Sequence, residues 1–522
     1  MPRGRLGPPS RTRVSPSWAG GRPGAGRARL RGIFQIGKRS CDVVLTDTAL
    51  TWRPIRPHPP QGDAEAQPAE KEELLELKDI FSVKLKRRRS AKQQSGGTLL
   101  GITLFVCKKK EKNKLEFYTV HLHNLSEDHC DLWFRRLKAI LTGFPNRPKS
   151  LKVLINPQSH KKEATQVYYE QVAPLLHLAE IKTDVLVTEY AGHALSLLKE
   201  CDLQEFDGIL CVGGDGSASE VVNGLLLRAQ MDARKDTDYI LTPVKTTLPL
   251  GIIPAGSTNV LARSLQGITH VVTATLHVIM GHIKPVDVCV FSSMQNFLRC
   301  GFSAMFGFGG RTLAWAEKKR WMPATQRRHF AVVKTLANLK PTDCEISFLP
   351  LNNSQDFQST NRENCRIPQF DGDDPWQKVQ GSFLNVSIMA SPCLCSMAPR
   401  GVAPNTRLNS GSMALIISRN TSRPEFIKHL KRYSSVKNQF NFPFIETYNV
   451  KEVKVQPRNN NSGCITEEKA EGATENNHLW NVDGDLMEVS SEVHIRVHPQ
   501  LIHCYGDNSE ELGDPKVACD CL

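Results

Sequence analysis

The chain lacks the features that mark several large classes of protein. No run approaches the roughly 18 apolar residues that a membrane-spanning helix needs, and the Arg- and Pro-rich N-terminus has no apolar stretch typical of a secretory signal. The fifteen cysteines are odd in number and lack the paired spacing of a zinc site. We therefore expect free thiols in a reducing compartment and no metal site. The C-x-C pairs Cys393/Cys395 and Cys519/Cys521 are more typical of buried or spare thiols than of metal ligands.

Acidic residues are missing from the N-terminus. Residues 1–30 contain no Asp or Glu and are rich in Arg, Pro and Gly, so they cannot bury enough apolar surface to fold, and we expect a disordered basic tail. Residues 1–150 carry 30 Lys and Arg against 14 Asp and Glu, whereas residues 151–522 carry 37 against 39. The excess positive charge suggests that the N-terminal region meets an anionic partner: a membrane surface, an importin or a nucleic acid.

Short β-like runs fill residues 31–145 and end in an amphipathic helix. The segment SEDHCDLWFRRLKAILTGF starts with Ser126, a good capping residue, and has apolar residues at near-helical spacing: Leu132, Trp133, Leu137 and Ile140. Antiparallel strands closed by one C-terminal helix with a buried Trp resemble a pleckstrin-homology (PH) domain. A generic small β-domain with the same helix is the alternative. Phosphoinositide binding stays open at this point.

Strands and helices alternate over residues 149–290. Apolar strands separated by helices of roughly ten to fifteen residues indicate a parallel sheet with crossover connections. Over residues 291–505 β-rich segments take their place, followed by a tail at 506–522. The predicted fold is therefore α/β plus β: a PH-like domain, an α/β domain and a β-rich domain. Two polar stretches of the β-rich domain, 351–374 and 458–477, are expected to be surface loops.

A glycine-rich turn follows the third strand of the α/β region. In CVGGDGSASEVVNG an apolar strand leads through four turn residues into a helix: Gly213, Gly214, Asp215 and Gly216. Glycines here let main-chain amides and the positive helix end face a phosphate, and Asp215 adds a carboxylate that can orient a hydroxyl or a metal ion. Ser217 and Glu220 have capping-box spacing. A structural tight turn is the alternative, but it seldom uses three glycines around one Asp.

A second loop of the same kind follows the next strand. LGIIPAGSTNVLARSL gives a strand, a turn and a helix, with these residues in the turn: Gly256, Ser257, Thr258 and Asn259. They can cap the helix or contact nucleotide phosphates. Alone the pattern is weak, since Ser, Thr and Asn are ordinary N-cap residues. About forty residues after GGDG, it becomes a strong indication of a nucleotide site.

The two loops together resemble the catalytic fold shared by diacylglycerol, ceramide and sphingosine kinases. The similarity covers roughly residues 150–505, and segments such as EKKRWM (317–322) and WNVDGDLMEV match ceramide kinases in order and spacing. It implies that ATP, with Mg²⁺ if the chain is active, binds at the loops while a lipid hydroxyl attacks the γ-phosphate. Asp215 and Asp485 would handle the hydroxyl proton and the metal. The implied nucleotide contacts are Asn156, Gly213, Gly214, Asp215, Gly216, Glu220, Gly256, Ser257, Thr258 and Asn259.

Three departures from the family pattern fall within its loop motifs. The first nucleotide loop usually reads Asn-Pro-x-Gly/Ser-Gly, but residues 156–162 read NPQSHKK, and side chains with a Cβ cannot follow the same path without strain. Residues 410–414 read SGSMA in place of D-G-x-x-D. Asp485 lies in DGD rather than DGE, so its carboxylate is one methylene shorter, and moving a general base by ~1 Å can cost on the order of a hundredfold in rate.

A fourth departure concerns the lipid head group. Sphingolipid kinases carry an Asp there, but residues 302–316 contain no carboxylate, and the aligned position falls near Met305 or Arg311. We therefore expect a chain that has lost most or all ceramide kinase activity and acts as a lipid- or nucleotide-responsive regulator. An active lipid kinase with another substrate is one rival. A membrane- or nucleic-acid-binding adaptor acting through residues 1–150 is the other.

Two basic runs lie in the PH-like region. KLKRRRSAK (84–92) has six basic residues in nine and KKKEKNK (108–114) five in seven. The first run has three possible interpretations: a nuclear localisation signal read by an importin, a phosphate-contacting face for anionic or sphingolipid membranes, or a solvated loop. Specific nucleic-acid binding is not expected, since no aromatic platform accompanies the basic residues. We expect the chain in cytoplasm and nucleus, including the nucleolus, and peripherally at endoplasmic reticulum and Golgi membranes. The signal residues are Lys84, Lys86, Arg87, Arg88 and Arg89.

Overall fold

A computed structural model of the chain describes residues 29–55, 72–88, 97–159, 162–351, 375–395, 397–435, 438–458 and 478–507. Within these ranges the chain divides into two compact units. Residues up to 106 together with 119–141 form the first, and residues 107–118 together with those from 142 onward form the second. Residues 1–28 of the predicted N-terminal tail, nearly all of both predicted polar loops and the C-terminal tail from residue 508 lie outside the described residues. Leu30, predicted as the end of the tail, is instead the first residue of strand β1, Leu30–Ile36.

The first unit is an antiparallel sheet with one helix. Its strands are ordered β4-β3-β2-β1-β7-β6-β5, and helix α1 begins after Ser126, whose Oγ accepts a hydrogen bond from His129 N at 3.2 Å. The buried Trp133 ring meets Phe34 edge-on at 5.0 Å. The elements are β1 (Leu30–Ile36), β2 (Arg39–Leu45), β3 (Ala49–Pro54), β4 (Glu73–Glu76), β5 (Ile80–Arg88), β6 (Thr98–Lys109), β7 (Leu115–His123) and α1 (Glu127–Thr142).

The buried stripe of α1 differs in part from the predicted one. Trp133 and Leu137 are fully buried, as expected, and Cys130 joins them, so the stripe follows the i, i+3, i+7 spacing of a helix packed on a sheet. The prediction was wrong for Leu132, which is 54% exposed, because it lies one position, or about 100° of helical rotation, before Trp133.

The second unit starts with a four-stranded parallel sheet in the order β11-β10-β8-β9. Each strand is a short apolar run, and β8, β10 and β11 are buried along nearly their whole length, as central strands of a parallel sheet require. A π-helical turn, Tyr168–Val172, joins α2 to α3. The elements are β8 (Ser150–Ile155), α2 (Ala164–Val167), α3 (Ala173–Leu178), β9 (Lys182–Val187), α4 (His193–Glu200), β10 (Gly208–Gly213), α5 (Asp215–Asp232), β11 (Leu250–Pro254), α6 (Val260–Gln266) and α7 (Val271–Met280).

The same sheet continues into a β-rich region. The last described strand, β21, pairs parallel with β11 and antiparallel with β12 and β18, so it connects the parallel sheet to the β-rich region. Three helices that the sequence did not predict interrupt the described part of this region. The elements are β12 (Ile283–Ser293), β13 (Asn296–Gly301), β14 (Ser303–Gly307), α8 (Phe308–Glu317), α9 (Ala324–Ala337), β15 (Thr342–Pro350), β16 (Gln377–Met389), β17 (Met413–Arg419), α10 (Arg423–Arg432), β18 (Ile445–Pro457), β19 (His478–Val482), β20 (Asp485–Val489) and β21 (Val493–Tyr505).

Candidate functional site

The sequence-predicted loops meet at the carboxyl edge of the parallel sheet. Strands β8 and β10 are neighbours, yet β9 lies on the far side of β8 and β11 on the far side of β10. This is a topological switch point, where open α/β sheets bind their ligands. A small pocket lies there, between the end of β8 and the start of α5, lined by Leu154, Asn156, Thr188, Ala194, Cys211, Ser217, Glu220 and Val221.

The GGDG segment is tighter than the predicted four-residue turn. Strand β10 includes Gly213 and helix α5 begins at Asp215, so Gly214 alone separates them, and the prediction that all four residues form the turn is wrong. None of the GGDG glycines has a positive φ. Glycine is needed for close approach instead, since a Cβ on Gly256 would lie 2.3 Å from Gly214 Cα. The two loops therefore pack backbone against backbone.

The predicted capping box at Ser217 and Glu220 is also wrong. Because α5 is capped by Gly214, Ser217 falls inside the first turn, and its Oγ accepts a hydrogen bond from Asn156 Nδ2 at 2.8 Å. Glu220 Oε1 accepts from the backbone N–H of Ala194 at 2.8 Å and Leu195 at 3.2 Å. Glu220 thus caps the neighbouring helix α4, whose first N–H groups have no partner within their own helix.

The AGSTN loop is closed by Asn259. That residue is left-handed, with φ 55°, which Asn tolerates better than most residues. Its Oδ1 accepts from Gly256 N and its Nδ2 donates to Gly256 O, both at 2.8 Å. Ser257 and Thr258 are exposed at the loop tip, and Arg328 Nη2 from α9 lies 3.5 Å from Thr258 Oγ1.

The carboxylate of Asp215 is directed at the start of helix α6. Its Oδ1 accepts a hydrogen bond from Leu261 N at 3.0 Å, so the side chain caps helix α6 from the neighbouring loop. Burial raises the pKa of Asp215, and hydrogen bonds from the backbone N–H groups at the start of α6 oppose that rise. This geometry makes Asp215 a link between the two glycine loops.

Asp485 reaches the same loops from the far end of the sequence. Asp483 and Gly484 are both left-handed, with φ 51° and 87°, and form a two-residue hairpin turn of the Asp-Gly type between β19 and β20. The turn places Asp485 over the glycine loop, where a Cβ on Gly216 would lie 3.1 Å from Asp485 Oδ1. Sequence reasoning paired Asp485 with the GGDG loop, and the geometry brings them together.

Arg299 is a site residue that sequence reasoning missed. From β13 its Nη2 donates to Asp485 Oδ2 at 3.1 Å and to Ser219 Oγ at 2.8 Å. Ser219 is buried in α5 and the Arg299 side chain is 19% exposed. The available signal was one arginine within NFLRCG, an otherwise mostly apolar run. The ion pair ties the C-terminal carboxylate to the helix that follows the GGDG segment.

The other Asp of the DGD motif is structural. Asp483 Oδ2 accepts from Phe302 N at 2.9 Å, and its Oδ1 accepts from Ser303 N and Ser303 Oγ at 2.8 and 2.9 Å. Burial raises the pKa of Asp483 to about 6 against the lowering effect of these bonds. Asp483 therefore anchors the hairpin turn that presents Asp485.

The first nucleotide loop shows the strain expected from its missing glycine. Asn156 Oδ1 accepts from Gln158 N at 3.0 Å, which tightens the turn after β8. Lys162 then adopts φ 67°, a left-handed conformation that costs an ordinary residue roughly 1–2 kcal/mol. His160 and Lys161, between these positions, lie outside the described residues.

Two further segments lack an Asp that the family pattern has, the one around Arg311 and the SGSMA stretch, and other contacts occupy these places. Arg311 Nη1 donates to Thr342 Oγ1 at 3.0 Å and its Nη2 to Lys340 O at 2.5 Å; within the described ranges it has no acidic partner, and burial lowers its pKa. In the SGSMA stretch Gly411 N donates to the buried Asp287 Oδ2 at 2.6 Å. Asp287 thus holds a loop that carries no carboxylate of its own.

The sequence-predicted localisation residues lie in the first unit. Lys84, Lys86, Arg87 and Arg88 belong to β5, an edge strand paired with β6, and Arg89 lies outside the described residues. Within those ranges no cluster of three or more His, Cys, Asp or Glu could hold a metal ion, and Cys393 and Cys395 are free thiols. No described helix is long and apolar enough to cross a bilayer.

The three-part fold and its paired loops define a class, the lipid kinases of diacylglycerol-kinase type. The model of the diacylglycerol kinase catalytic domain matches residues 150–291. The ceramide kinase C-terminal domain matches residues 302–522, and the ceramide kinase PH domain matches residues 30–137. The predicted fold class is confirmed, and the first unit is a PH domain rather than a generic small β-domain. The lipid kinase fold generally uses ATP and a divalent metal.

Two relatives narrow the class. The chain is 66% identical over 515 residues to human ceramide kinase-like protein, covering 94% of this chain and 92% of that one. It is 30% identical over 534 residues to human ceramide kinase, covering 93% and 98%. The chain therefore belongs to the ceramide kinase family. A crystal structure of a diacylglycerol kinase from Bacillus anthracis is 16% identical with a TM-score of 0.44, covering 69% of this chain and 98% of that one.

Proposed function

We propose that this member of the ceramide kinase family binds nucleotide at the paired glycine loops but has little or no ceramide kinase activity. It would act as a lipid- and nucleotide-responsive regulator. The observation that carries the proposal is the ion pair between Arg299 and Asp485, at 3.1 Å beside the GGDG segment. The carboxylate that the family places at the reaction is engaged by a cation of the chain itself.

That ion pair bears directly on proton transfer. A lipid hydroxyl needs a carboxylate oxygen within hydrogen-bond reach to give up its proton, and Arg299 already donates to Asp485 Oδ2. Arginine cannot lose its own proton, so the guanidinium competes with the hydroxyl rather than relaying the proton. Asp215, the other candidate, is engaged at the start of α6. One oxygen of each carboxylate is therefore engaged in a contact within the protein.

Nucleotide binding is supported by the loops themselves. The Gly214–Gly256 contact keeps both turns free of side chains at the sheet edge, which is where a phosphate approaches backbone N–H groups. The exposed hydroxyls of Ser257 and Thr258 add donors. Mg²⁺ bound with nucleotide needs only one or two protein carboxylates, and Asp215 and Asp485 are the residues that would supply them, together with the charge neutralisation the ion brings.

An active lipid kinase with another substrate is the second candidate. The observation that favours it is the position of Asp485, whose Oδ1 lies beside Gly216 as the transfer chemistry would need. A ligand that drew Arg299 away would free that carboxylate. The substrate would then be a sphingolipid or diacylglycerol-like lipid with a free hydroxyl, phosphorylated from ATP.

The PH domain supports contact with anionic or sphingolipid membranes. Lys84 and Lys86 lie in strand β5, paired with Thr103 and Gly101 of β6. An importin that reads an extended peptide would have to unpair this strand, whereas a membrane surface would not, so the pairing favours the membrane role. The nuclear and cytoplasmic localisation, the importin contact and an adaptor role of residues 1–150 stay predictions.

The test is transfer of labelled γ-phosphate from ATP to ceramide, sphingosine and diacylglycerol by the full-length protein, with human ceramide kinase as the positive control. The matched variant is Asp485→Asn, which keeps the side-chain shape and removes the charge. We expect no ceramide phosphorylation above the level of this variant. A lipid product that is formed by the wild type and lost in Asp485→Asn would refute the proposal in favour of the active kinase.

A further inference from the structure

The helices α8 and α9 form a hairpin with an unusual surface. This segment, residues 308–340, is named the basic hairpin here. It holds eight Lys and Arg against one acidic residue, Glu317, although residues 151–522 as a whole carry slightly more acidic than basic residues. The concentration of one charge sign on one supersecondary element indicates a surface that meets an anionic partner.

An exposed indole stands at the tip of the basic hairpin. Trp321, in the connection between the helices, is 78% exposed, the most exposed aromatic side chain among the described residues. Val333 on α9 is 65% exposed. A single exposed apolar side chain is ordinary on a protein surface, so the indole indicates an interaction only together with the cations that surround it.

The hairpin also holds its cations against apolar surface. Lys318 Nζ and Lys334 Nζ each lie 5.4 Å from the centre of the Trp315 ring, and Trp315 meets Phe330 edge-on at 6.5 Å. The two ammonium groups therefore make cation–π contacts with the Trp315 indole. Tryptophan beside Lys and Arg is the composition that binds at the boundary between lipid head groups and acyl chains.

We propose that the basic hairpin is a docking surface for anionic phospholipid membranes, with Trp321 inserted at the head-group level and the surrounding Lys and Arg on the lipid phosphates. The basic hairpin is complementary to an anionic bilayer. Its apolar tip matches the acyl chains, and the surrounding Lys and Arg match the phosphates of the head groups. A nucleic acid would instead be met by several aromatic side chains along a groove. This contact is separate from the PH domain.

The same hairpin touches the candidate nucleotide site. Arg328 on α9 approaches Thr258 Oγ1 at 3.5 Å. Burial raises the pKa of Asp215, and the charge of Arg328 lies near enough to oppose that rise. A membrane seated on the hairpin would therefore lie on an element that contacts the AGSTN loop. The docking proposal itself does not depend on nucleotide binding, and it is tested without ATP.

The experiment measures contact of one side chain with lipid. Full-length protein is mixed with vesicles of phosphatidylcholine alone or with added phosphatidylserine, in which part of the phosphatidylcholine carries bromine on its acyl chains, and quenching of tryptophan emission is recorded. We expect quenching with anionic vesicles in the wild type and its loss in Trp321→Phe, which keeps an apolar ring. Trp321-independent quenching, or equal quenching by neutral vesicles, would overturn the proposal.

Affinity is measured by co-sedimentation with the anionic vesicles. Trp321→Ala should weaken binding by about tenfold, while Met294→Ala, which removes a side chain 79% exposed on the β12–β13 turn, should change it by less than about twofold. Circular dichroism of each variant confirms that the fold is intact. Equal losses in Trp321→Ala and Met294→Ala would overturn the proposal, because general surface hydrophobicity would then explain binding.

Charge reversal separates the hairpin from the rest of the surface. Lys319→Glu with Arg327→Glu should reduce vesicle binding by at least about tenfold, whereas the control pair Lys431→Glu with Lys451→Glu, exposed in the same unit, should have a much smaller effect. Binding of a single-stranded RNA that depends on the hairpin charges, without Trp321 quenching by vesicles, would replace the membrane by a nucleic acid and overturn the proposal.

Discussion

At the scale of single residues, glycines are required here by contact rather than by dihedral angle. Gly213, Gly214, Gly216 and Gly256 all have ordinary φ values, so alanine could adopt their backbone conformations. What excludes a Cβ is the neighbouring loop, since Gly214 and Gly256 approach each other with no space between them. The sequence showed where the glycines lie, but the loop–loop contact that needs them becomes visible only when β10 and β11 are adjacent.

The contact predicts unequal effects of adding one methyl group. A Cβ on Gly256 would lie 2.3 Å from Gly214 Cα, whereas a Cβ on Gly214 would lie 3.2 Å from Gly256 Cα. Gly256→Ala should therefore lower the free energy of unfolding of the second unit by roughly 1–3 kcal/mol, and Gly214→Ala by less. Thermal unfolding compares them, with exposed Ser257→Ala as the control. The reverse order would show that the loops do not pack as described.

Because Asp215 caps helix α6, we expect Asp215→Asn and Asp215→Ala to differ in their effect on the free energy of unfolding. The Oδ1 that accepts from Leu261 N survives in Asp215→Asn and is lost in Asp215→Ala. Loss of a cap costs about 0.5–2 kcal/mol, so the alanine variant should be destabilised by about that amount and the asparagine variant by clearly less, as measured by chemical denaturation. If both variants lose the same stability, the charge of Asp215 stabilises the start of α6 and the hydrogen bond does not.

At the scale of elements, the sequence predicted a helix or strand correctly where the apolar residues follow one strong periodicity. It failed where tertiary contacts determine the bounds or the capping of a helix. The parallel strands and α1 follow from apolar runs and a helical stripe. Helices α8, α9 and α10 were missed because residues 291–505 were predicted to be β-rich from the β-like runs within them. The capping box at Ser217 failed because the N-cap of α5 is Gly214, three residues before Ser217, and because Glu220 caps a different helix, α4.

Helix α10 carries a histidine whose protonation is linked to stability. His429 is 2% exposed and lies among the rings of Phe426, Tyr433, Phe442 and Phe444. Burial lowers its pKa to about 4. Because the folded pKa is below the unfolded value near 6.5, the stability that neutral His429 contributes is complete above about pH 6.5 and is lost as the pH falls towards 4.

This linkage predicts a pH-dependent difference between the wild type and His429→Leu. As the pH falls from about 6.5 to 4, the wild type should lose up to about 1.4 kcal/mol of unfolding free energy per pH unit relative to the variant. The measurement is denaturant unfolding at several pH values, with His177→Leu, at an exposed position, as the control. A difference that stays constant with pH would mean that His429 has the same pKa in the folded and unfolded states.

At the scale of the whole molecule, the candidate site is assembled from both ends of the second unit. The glycine loops come from the parallel strands, Arg299 from β13 and Asp485 from the β19–β20 hairpin, while β21 returns to pair with β11 and β12. Sequence motifs predicted the glycine loops and paired Asp485 with them. Arg299 could not be predicted, because its role depends on a tertiary contact between residues 186 positions apart in the sequence.

Nucleotide binding at the paired loops is measured by calorimetric titration of the folded full-length protein with Mg²⁺–ATP. We expect saturable binding by the wild type that is weakened at least about tenfold in Gly256→Ala, since the displaced loops no longer present their backbone to a phosphate. Ser257→Gly, which removes one exposed hydroxyl, should retain most of the affinity. Absence of binding by well-folded wild-type protein would contradict the account and would make the paired loops a retained architecture without a ligand.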